Sequence, residues 1–406
     1  MWKIGHKITV MLAVCGLLAA GTPYGFEAAA EPSSVSAQSA VLYEPSSGRV
    51  LFQKDAHTPR PMASTTKLMT ALIAAEAVPF DRDVKITEEA VRVEGSSMGL
   101  RAGDWISMGD LVTGLLLESG NDAANAIALT VAGSLPAFAE IMNRKAKELG
   151  MMDSYFVSPS GLDGDGHSSS AYDMALLGAE VLRHPELAEI CATKTARIHL
   201  GDPKHEATMS NHNRLLSLYP YAIGMKTGFT TKAGRCLVSA ARKDGVTLVA
   251  VTLKAPDDWN DHIALYDYGF SLTLSCPLPK PELSPLPVAG GTESAVPLSM
   301  EAPPSLSLLK EEAERLSFSI ELPRFLAAPV AEGETVGVVR YSVDGRDLCV
   351  MPVTAAQAVE ARPVAGYGER VYRLFRALLC AFLLENRNHP DPQGPRAPCC
   401  MNLWFG

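Results

Sequence analysis

Met62-Ala63-Ser64-Thr65-Thr66-Lys67-Leu68-Met69-Thr70-Ala71-Leu72 is the stretch on which the reading of this chain turns. It follows Pro59 and Pro61, and as far as Ala77 it is rich in Ala, Leu, Met and Ile with few charges. That composition predicts a helix over Ser64–Ala77, buried on most sides. Ser64 falls near its N-terminus, where unpaired backbone N–H groups favour nearby negative charge. Lys67 lies about one turn later on roughly the same face. An alcohol is a poor nucleophile at its free pKa, and a neutral lysine one turn away can take its proton. Burial and a neighbouring cation would keep Lys67 neutral.

Two further motifs follow in order, Ser119-Gly120-Asn121 and Lys226-Thr227-Gly228. Each is ordinary alone; their order and setting carry the signal. Residues 107–132 have a helical pattern that Gly120-Asn121-Asp122 interrupts, so the second motif is expected between helices. The segment Tyr221–Gly234 reads as turn-rich around Lys226, beside a hairpin. In a serine acyl-transfer site, Ser119 can relay a proton between the leaving amine and Lys67. Asn121 can orient Lys67 and the substrate backbone. Lys226 can be the cation beside Lys67 and, with the Thr227 hydroxyl, can hold a carboxylate. Gly228 removes a side chain where substrate would lie along a strand edge. The N–H groups of Ser64 and Phe229 are the candidate oxyanion donors. No metal and no cofactor is called for. His167 stands in a Gly/Ser loop without partners and reads as structural.

Working outward, residues 40–56 read as a β-hairpin around Pro45-Ser46-Ser47-Gly48. Phe138–Leu149 is an amphipathic helix ending at Gly150, and a further helix runs from about Ala171 to Leu182. Cys236–Ala241 and Leu248–Leu253 are adjacent strands joined by Lys243-Asp244-Gly245, and Asp258–Phe270 is a returning helix. Strand, many helices, then strands predicts an α+β domain whose sheet is built from both ends of the segment. Near Cys276 the composition shifts: prolines crowd 277–304, and strands follow at Ser319–Leu322, Val336–Tyr341 and Leu348–Met351. The expected organisation is a signal peptide over 1–30, the catalytic domain over 31–276, and a small all-β, sandwich-like domain over 277–365. An amphipathic helix over 366–385 and a disordered tail over 386–406 complete it.

The first residues carry Lys3 and Lys7, an apolar run from Ile8 to Ala20, and a small-residue cleavage site at Ala28-Ala29-Ala30. This predicts export with Glu31 as the mature start. The 406-residue chain has a formal net charge of −9, which offers no general positive field for nucleic acid. Its cysteines lack the spacing of a disulfide scaffold or a zinc site, and Cys236 and Cys349 lie in apolar runs as buried small hydrophobes. Arg370, Arg373 and Arg376 are spaced by three in an otherwise apolar stretch too short to span a bilayer. It suits an interfacial helix on anionic lipid.

The three motifs together resemble those of the low-molecular-mass penicillin-binding proteins, bacterial serine-type D-alanyl-D-alanine carboxypeptidases. Ala63–Leu72 is similar to the family's nucleophile segment and Ser119-Gly120-Asn121-Asp122-Ala123 to its second motif. Lys226-Thr227-Gly228-Phe229-Thr230, followed by Ala233-Gly234-Arg235-Cys236-Leu237-Val238, is similar to the third. Asn143-Arg144-Lys145-Ala146 and Ser158-Pro159-Ser160-Gly161-Leu162 with His167 fit as well, and the likeness extends over about 33–380. It implies a transpeptidase-like domain, an antiparallel sheet flanked by a helical cluster, followed by a small β domain without catalytic role. It implies Ser64 as nucleophile, Lys67 as base, Ser119 and Asn121 in proton transfer and positioning, and Lys226 and Thr227 on the terminal carboxylate. The implied substrate is the peptidoglycan pentapeptide stem ending in D-Ala-D-Ala, with β-lactams as covalent inhibitors. The implied place is the outer face of the cytoplasmic membrane, reached through the terminal amphipathic helix. The chain departs from the family at Ile223-Gly224-Met225, where an Asp is frequent, and at Ser170-Ala171-Tyr172-Asp173. Rival readings are an endopeptidase or transpeptidase on the same motifs, a β-lactamase-like hydrolase, and a non-catalytic peptidoglycan-binding scaffold. The loop over 158–175 has no Glu to position a deacylating water, against the β-lactamase, and retention of Ser64 and Lys67 argues against the scaffold.

Overall fold

The hairpin expected near the start is present as β1 (Ser39–Glu44) and β2 (Arg49–Lys54) in the computed structural model, which describes residues 31–32, 34–363 and 371–378. Its turn is closed by the buried carboxylate of Glu44, which accepts from the N–H groups of Ser46 and Ser47 at 2.9 and 2.8 Å. A 3-10 turn over Ala63–Thr66 then leads into α1 (Lys67–Ala77). Ser64 therefore sits in a tight turn before the α-helix, one step earlier than the helical reading of 64–77 put it. Short strands β3 (Asp83–Lys85) and β4 (Trp105–Ser107) precede α2 (Met108–Leu117), α3 (Asn121–Ala132) and α4 (Leu135–Glu148). Next come α5 (Ala171–Arg183), α6 (Pro185–Ala192), β5 (Thr195–Gly201), β6 (Lys204–Ser210) and α7 (Leu215–Leu218). The run ends with β7 (Ala222–Thr230), β8 (Gly234–Lys243), β9 (Val246–Leu253) and α8 (Asp258–Leu272).

The main sheet has the order β2-β1-β9-β8-β7 and is antiparallel throughout, so its strands come from both ends of the segment as expected. The β8–β9 turn is made by Asp244 and Gly245, both at positive φ, a backbone shape that matches strand twist in a tight hairpin. Helices cover both faces. Gly178 of α5 lies against Val238 and Val249, and Gly269 of α8 against Leu42 and Leu248. Helix α1 is buried from Lys67 to Ala74, which is why its sequence is apolar on every side but for Lys67 and Thr70. Each fully buried leucine there, such as Leu68 or Leu72, contributes about 1.5–3 kcal/mol. Serine caps set the starts of α2, α4 and α5: Ser107, Ser134 and Ser170 each accept from an N–H three residues on.

Two readings change. Residues 222–230, read as turn-rich, form the edge strand β7. Gly224 and Gly228 look like turn signals, but they answer to close packing rather than to a turn. Gly224 has φ +101 at a bulge, and a Cβ there would meet the Cys191 carbonyl oxygen at 1.9 Å. A second sheet, β3-β4-β5-β6, arises from a polar region that carried no strand assignment. Ile198, Leu200 and Met209, with Ala196 and Ala207 beside them, give its long hairpin an apolar face.

The chain divides into two compact units between Leu274 and Ser275. The second is β-rich: β10 (Thr273–Pro277), β11 (Leu286–Ala289), β12 (Ala295–Val296), β13 (Leu298–Ser299) and β14 (Ser305–Leu309) open it. After a helical turn α9 (Lys310–Ala313) come β15 (Leu316–Glu321), β16 (Leu326–Ala327), β17 (Thr335–Val343) and β18 (Arg346–Ala355). Its core gathers Val339, Tyr341, Cys349 and Val353. Cys236 and Cys349 are buried. The signal peptide, Arg370 and the tail lie outside the described residues. Among the described residues no single helix is long and apolar enough to cross a membrane.

Candidate active site

The three motifs meet where the Ser64 turn, the α2–α3 break and β7 come together. The Nζ of Lys67 lies 2.9 Å from Ser64 Oγ, 2.7 Å from Asn121 Oδ1 and 2.7 Å from the carbonyl oxygen of Ser160. Lys67 is fully buried, and these three partners are all uncharged. Burial first, and then repulsion from Lys226, push its pKa well below the usual lysine value. As a neutral amine it has two N–H bonds and one lone pair. Asn121 and Ser160 offer only acceptor oxygens and take the two hydrogens. The lone pair is left for the Ser64 hydroxyl, which is the geometry a general base needs.

Ser119 precedes α3 at φ +61, a left-handed backbone uncommon for serine, and its side chain faces the same cleft. Asn121 also holds the segment before the cleft, its N–H donating to the Ser96 carbonyl at 2.8 Å and its Nδ2 to that of Glu94 at 2.5 Å. Asp122 continues the work: its buried carboxylate accepts from Ser97 Oγ and from the N–H groups of Met98, Gly99 and Leu100. The second motif therefore fixes the loop that presents Ser96 to the cleft, besides serving Lys67.

Gly228 has a packing role besides the one its sequence suggests. A Cβ there would meet Met62 O at 2.9 Å and the backbone nitrogens of Ser64 and Thr65 at 3.0 Å. The missing side chain lets β7 lie against the Ser64 turn at a position that also lines the cleft. Gly161 is tighter still, with φ +84 and a would-be Cβ 2.0 Å from Ala63 O. The loop over 158–162 is thus pressed onto the same turn, where the Pro159 carbonyl accepts from Thr70 Oγ1 at 2.7 Å. His167 holds it: Nδ1 accepts from Val157 N–H at 2.9 Å, so Nε2 carries the hydrogen toward Thr66 Oγ1, also 2.9 Å away. Burial pushes its pKa down to about 4, and the ring acts as a neutral brace.

Lys226 is buried, and its Nζ donates to the Thr227 carbonyl at 3.1 Å. Burial pushes its pKa down to about 8. The cleft, about 390 Å³, is walled instead by Ser64, Ser119, Thr227, Phe229, His212 and Arg214. His212 and Arg214 escaped the sequence reading because nothing about Asn211-His212-Asn213-Arg214 marks chemistry without its place in space. His212 Nε2 lies 3.6 Å from a Glu118 oxygen, while burial and the Lys226 charge lower its pKa. At the far end Arg235 donates to Asp258 Oδ1 at 3.0 and 2.6 Å and stacks over Trp259, 5.3 Å from the ring centre.

An antiparallel sheet with a helical cluster, bearing a serine, a buried lysine and a Lys-Thr-Gly edge strand, defines the penicillin-binding, transpeptidase-like class of serine enzymes. Residues 26–257 match the D-alanyl-D-alanine carboxypeptidase family of S11 peptidases, and residues 280–361 match the C-terminal domain of penicillin-binding protein 5. The D-alanyl-D-alanine carboxypeptidase DacF of Bacillus subtilis is 32% identical over 332 residues, covering 79% of this chain and 85% of the relative. DacC of Escherichia coli is also 32% identical, covering 84% and 89%. The crystal structure of penicillin-binding protein 5 from Haemophilus influenzae superposes with a TM-score of 0.65 at 29% identity, over 81% of this chain and 99% of that one. The chain belongs to the D-alanyl-D-alanine carboxypeptidase family of low-molecular-mass penicillin-binding proteins. It is a serine-type D-Ala-D-Ala carboxypeptidase of peptidoglycan stem peptides and a β-lactam-binding protein.

Proposed function

We propose that Ser64 is the nucleophile and Lys67 its base, and that the hydrogen-bond pattern around Lys67 Nζ carries this assignment. Ser64 Oγ attacks the carbonyl of the penultimate D-alanine while its proton passes to Lys67. The oxyanion is held by the N–H groups of Ser64 and Phe229, the residue after Gly228 on the strand packed against the turn. As the C–N bond breaks, the proton returns from Lys67 through Ser119 to the leaving amine of the terminal D-alanine. Water then resolves the acyl-enzyme. The Thr227 hydroxyl and Arg214 face the cleft and take the terminal carboxylate, with the buried Lys226 charge behind them. A β-lactam follows the same path as far as the acyl-enzyme.

Residues 1–30 serve as the export signal and the enzyme works at the outer face of the cytoplasmic membrane. The helical stretch 371–378 supports the attachment: Val371, Leu374, Phe375 and Leu378 recur at helical spacing and are exposed. The chemistry is assigned to the domain over 31–276, and the β domain over 277–365 stands outside it.

The test is intact mass of the purified enzyme with benzylpenicillin, alongside D-alanine release from a peptide ending Lys-D-Ala-D-Ala. The expected outcome is one penicilloyl adduct and D-alanine release, both lost in Ser64→Ala, whose thermal unfolding stays close to wild type. An adduct that survives Ser64→Ala would refute the nucleophile.

A further inference from the structure

The outer edge of β7 meets opposite charges along its length. β7 closes the main sheet, so among the described residues no strand pairs with that edge. The cleft beside Thr227 is cationic, with Lys226 on the strand and Arg214 in its wall. Arg235, opposite Phe229 on β8, is already matched by Asp258. At the end of the strand stands Asp163, whose Oδ1 accepts from Thr230 Oγ1 at 3.3 Å. That is the one hydrogen bond the described residues give this carboxylate, and none of them forms an ion pair with it. A carboxylate has about four acceptor sites, and this residue is exposed. Its place is fixed nonetheless. Gly161 is pressed onto Ala63 on one side of it, and His167 is braced on Thr66 and Val157 on the other. Leu162 and Phe229, the sequence neighbours of Asp163 and Thr230, are 39% and 67% exposed.

We infer that Asp163 makes this end of the cleft a subsite for the residue preceding D-Ala-D-Ala, and that it selects a side chain ending in an ammonium group. The inference rests on the roles proposed above for Thr227 and Phe229 and extends them along the strand. With the terminal carboxylate at Thr227 and the scissile carbonyl at the Phe229 N–H, the bound peptide runs antiparallel to β7. An extended chain advances about 3.3 Å per residue. The residue before the two D-alanines then lies abreast of Thr230, beside Asp163. A lysine there lays its four-carbon stem along Phe229 and Leu162 and brings its charge to the carboxylate. The peptide is negative at its terminus and positive at this side chain, in the same order as the charges that face it. An acidic side chain at that place would meet Asp163 with like charge and be disfavoured.

The experiment compares kcat/KM for D-alanine release from two peptides, with benzylpenicillin acylation followed in parallel. One is Nα-acetyl-Lys-D-Ala-D-Ala, whose ε-amine is free; the other is its Nα,Nε-diacetyl form. The free amine should be preferred about threefold, the worth of one solvent-exposed ion pair, and the preference should shrink with added salt. Asp163→Asn should lower kcat/KM for the free-amine peptide to the level of the diacetyl one, and Asp163→Glu should keep the preference. Equal rates on the two peptides in wild type, or a preference that survives Asp163→Asn, would overturn the subsite while leaving D-alanine release intact. Benzylpenicillin carries no ammonium group. If its acylation falls in Asp163→Asn as far as peptide turnover does, the carboxylate holds the loop rather than reading the substrate, and the inference is refuted. Release from neither peptide would strike the peptide placement itself, and the subsite with it.

Discussion

Lys67 and Lys226 are both buried lysines near one serine, and the difference between them sets how the site responds to pH. Lys67 loses its proton well below the ordinary lysine range because burial and the Lys226 charge both oppose its ammonium form. Lys226, pushed down to about 8, still carries charge at neutral pH. The acylation rate with benzylpenicillin should therefore rise with pH as Lys67 deprotonates, then fall above about 8 as Lys226 loses its charge. Lys226→Gln removes the repelling cation, so the rising limb should move to higher pH. A pH–rate profile reads this directly, and a rising limb that stays in place would separate the two lysines. Lys67→Ala should cost about 10²–10⁴-fold in the acylation rate, the usual worth of a general base. At this scale the sequence was informative for a simple reason. Ser64 and Lys67 are a local pair, so helical geometry alone predicts their contact. Spacing does not suffice, since Ser307 and Lys310 repeat it at the end of a strand in the other unit. His212 and Arg214 were silent because their meaning comes wholly from the cleft they border.

The elements around the site are held by close backbone approach, and two glycines carry it. Gly228 keeps β7 against the Ser64 turn, where an added methyl must displace main-chain atoms at 2.9–3.0 Å. Gly228→Ala should shift the strand by a few tenths of an ångström and lower acylation about 10²-fold, since a small misplacement of reacting groups is that costly. The loss of stability should be about 1–3 kcal/mol, typical of overpacking. Gly161→Ala faces a backbone oxygen at 2.0 Å and a left-handed φ together, so it should unfold the loop or the unit rather than only slow the enzyme. Comparing thermal unfolding with acylation for the two variants checks both; a stable Gly161→Ala would show the loop to be less pinned than the contacts require. The same glycines explain why β7 was illegible. In a lone sequence a glycine marks a turn more often than a packed strand, and Gly224 and Gly228 punctuate β7 at just that spacing. By contrast β8, β9 and α1 were legible because most of their buried residues are apolar, and composition reports it.

Over the whole catalytic unit, burial of neutral histidines links the fold to pH. His262 is enclosed between sheet and α8, with Nδ1 2.6 Å from Ser239 Oγ and Nε2 3.0 Å from Thr252 Oγ1. Tyr266 closes the group with its hydroxyl 2.5 Å from Ser239 Oγ. Burial lowers the pKa of His262 to about 3 and that of His167 to about 4, while an unfolded chain holds both near 6.5. A lowered histidine pKa means the unfolded state binds more protons. The stability is therefore complete above about pH 6.5 and is lost as pH falls toward the folded values, by about 1.4 kcal/mol per pH unit for each histidine. Asp173 and Asp258, raised by burial, act in the opposite sense, because protonation in acid relieves their desolvation. They begin from a carboxylate value near 3.8, so their influence grows toward the acid end of the window. Between pH 6.5 and 5 the histidines pull stability down together with the buried Lys67, whose lowered pKa acts in the same sense. Urea unfolding across that range should show a falling free energy, and His262→Gln should flatten the slope even though it lowers stability at pH 7. An unaltered slope in that variant would mean that His262 titrates alike in both states, and that its enclosure between the sheet and α8 does not govern the acid sensitivity of the fold.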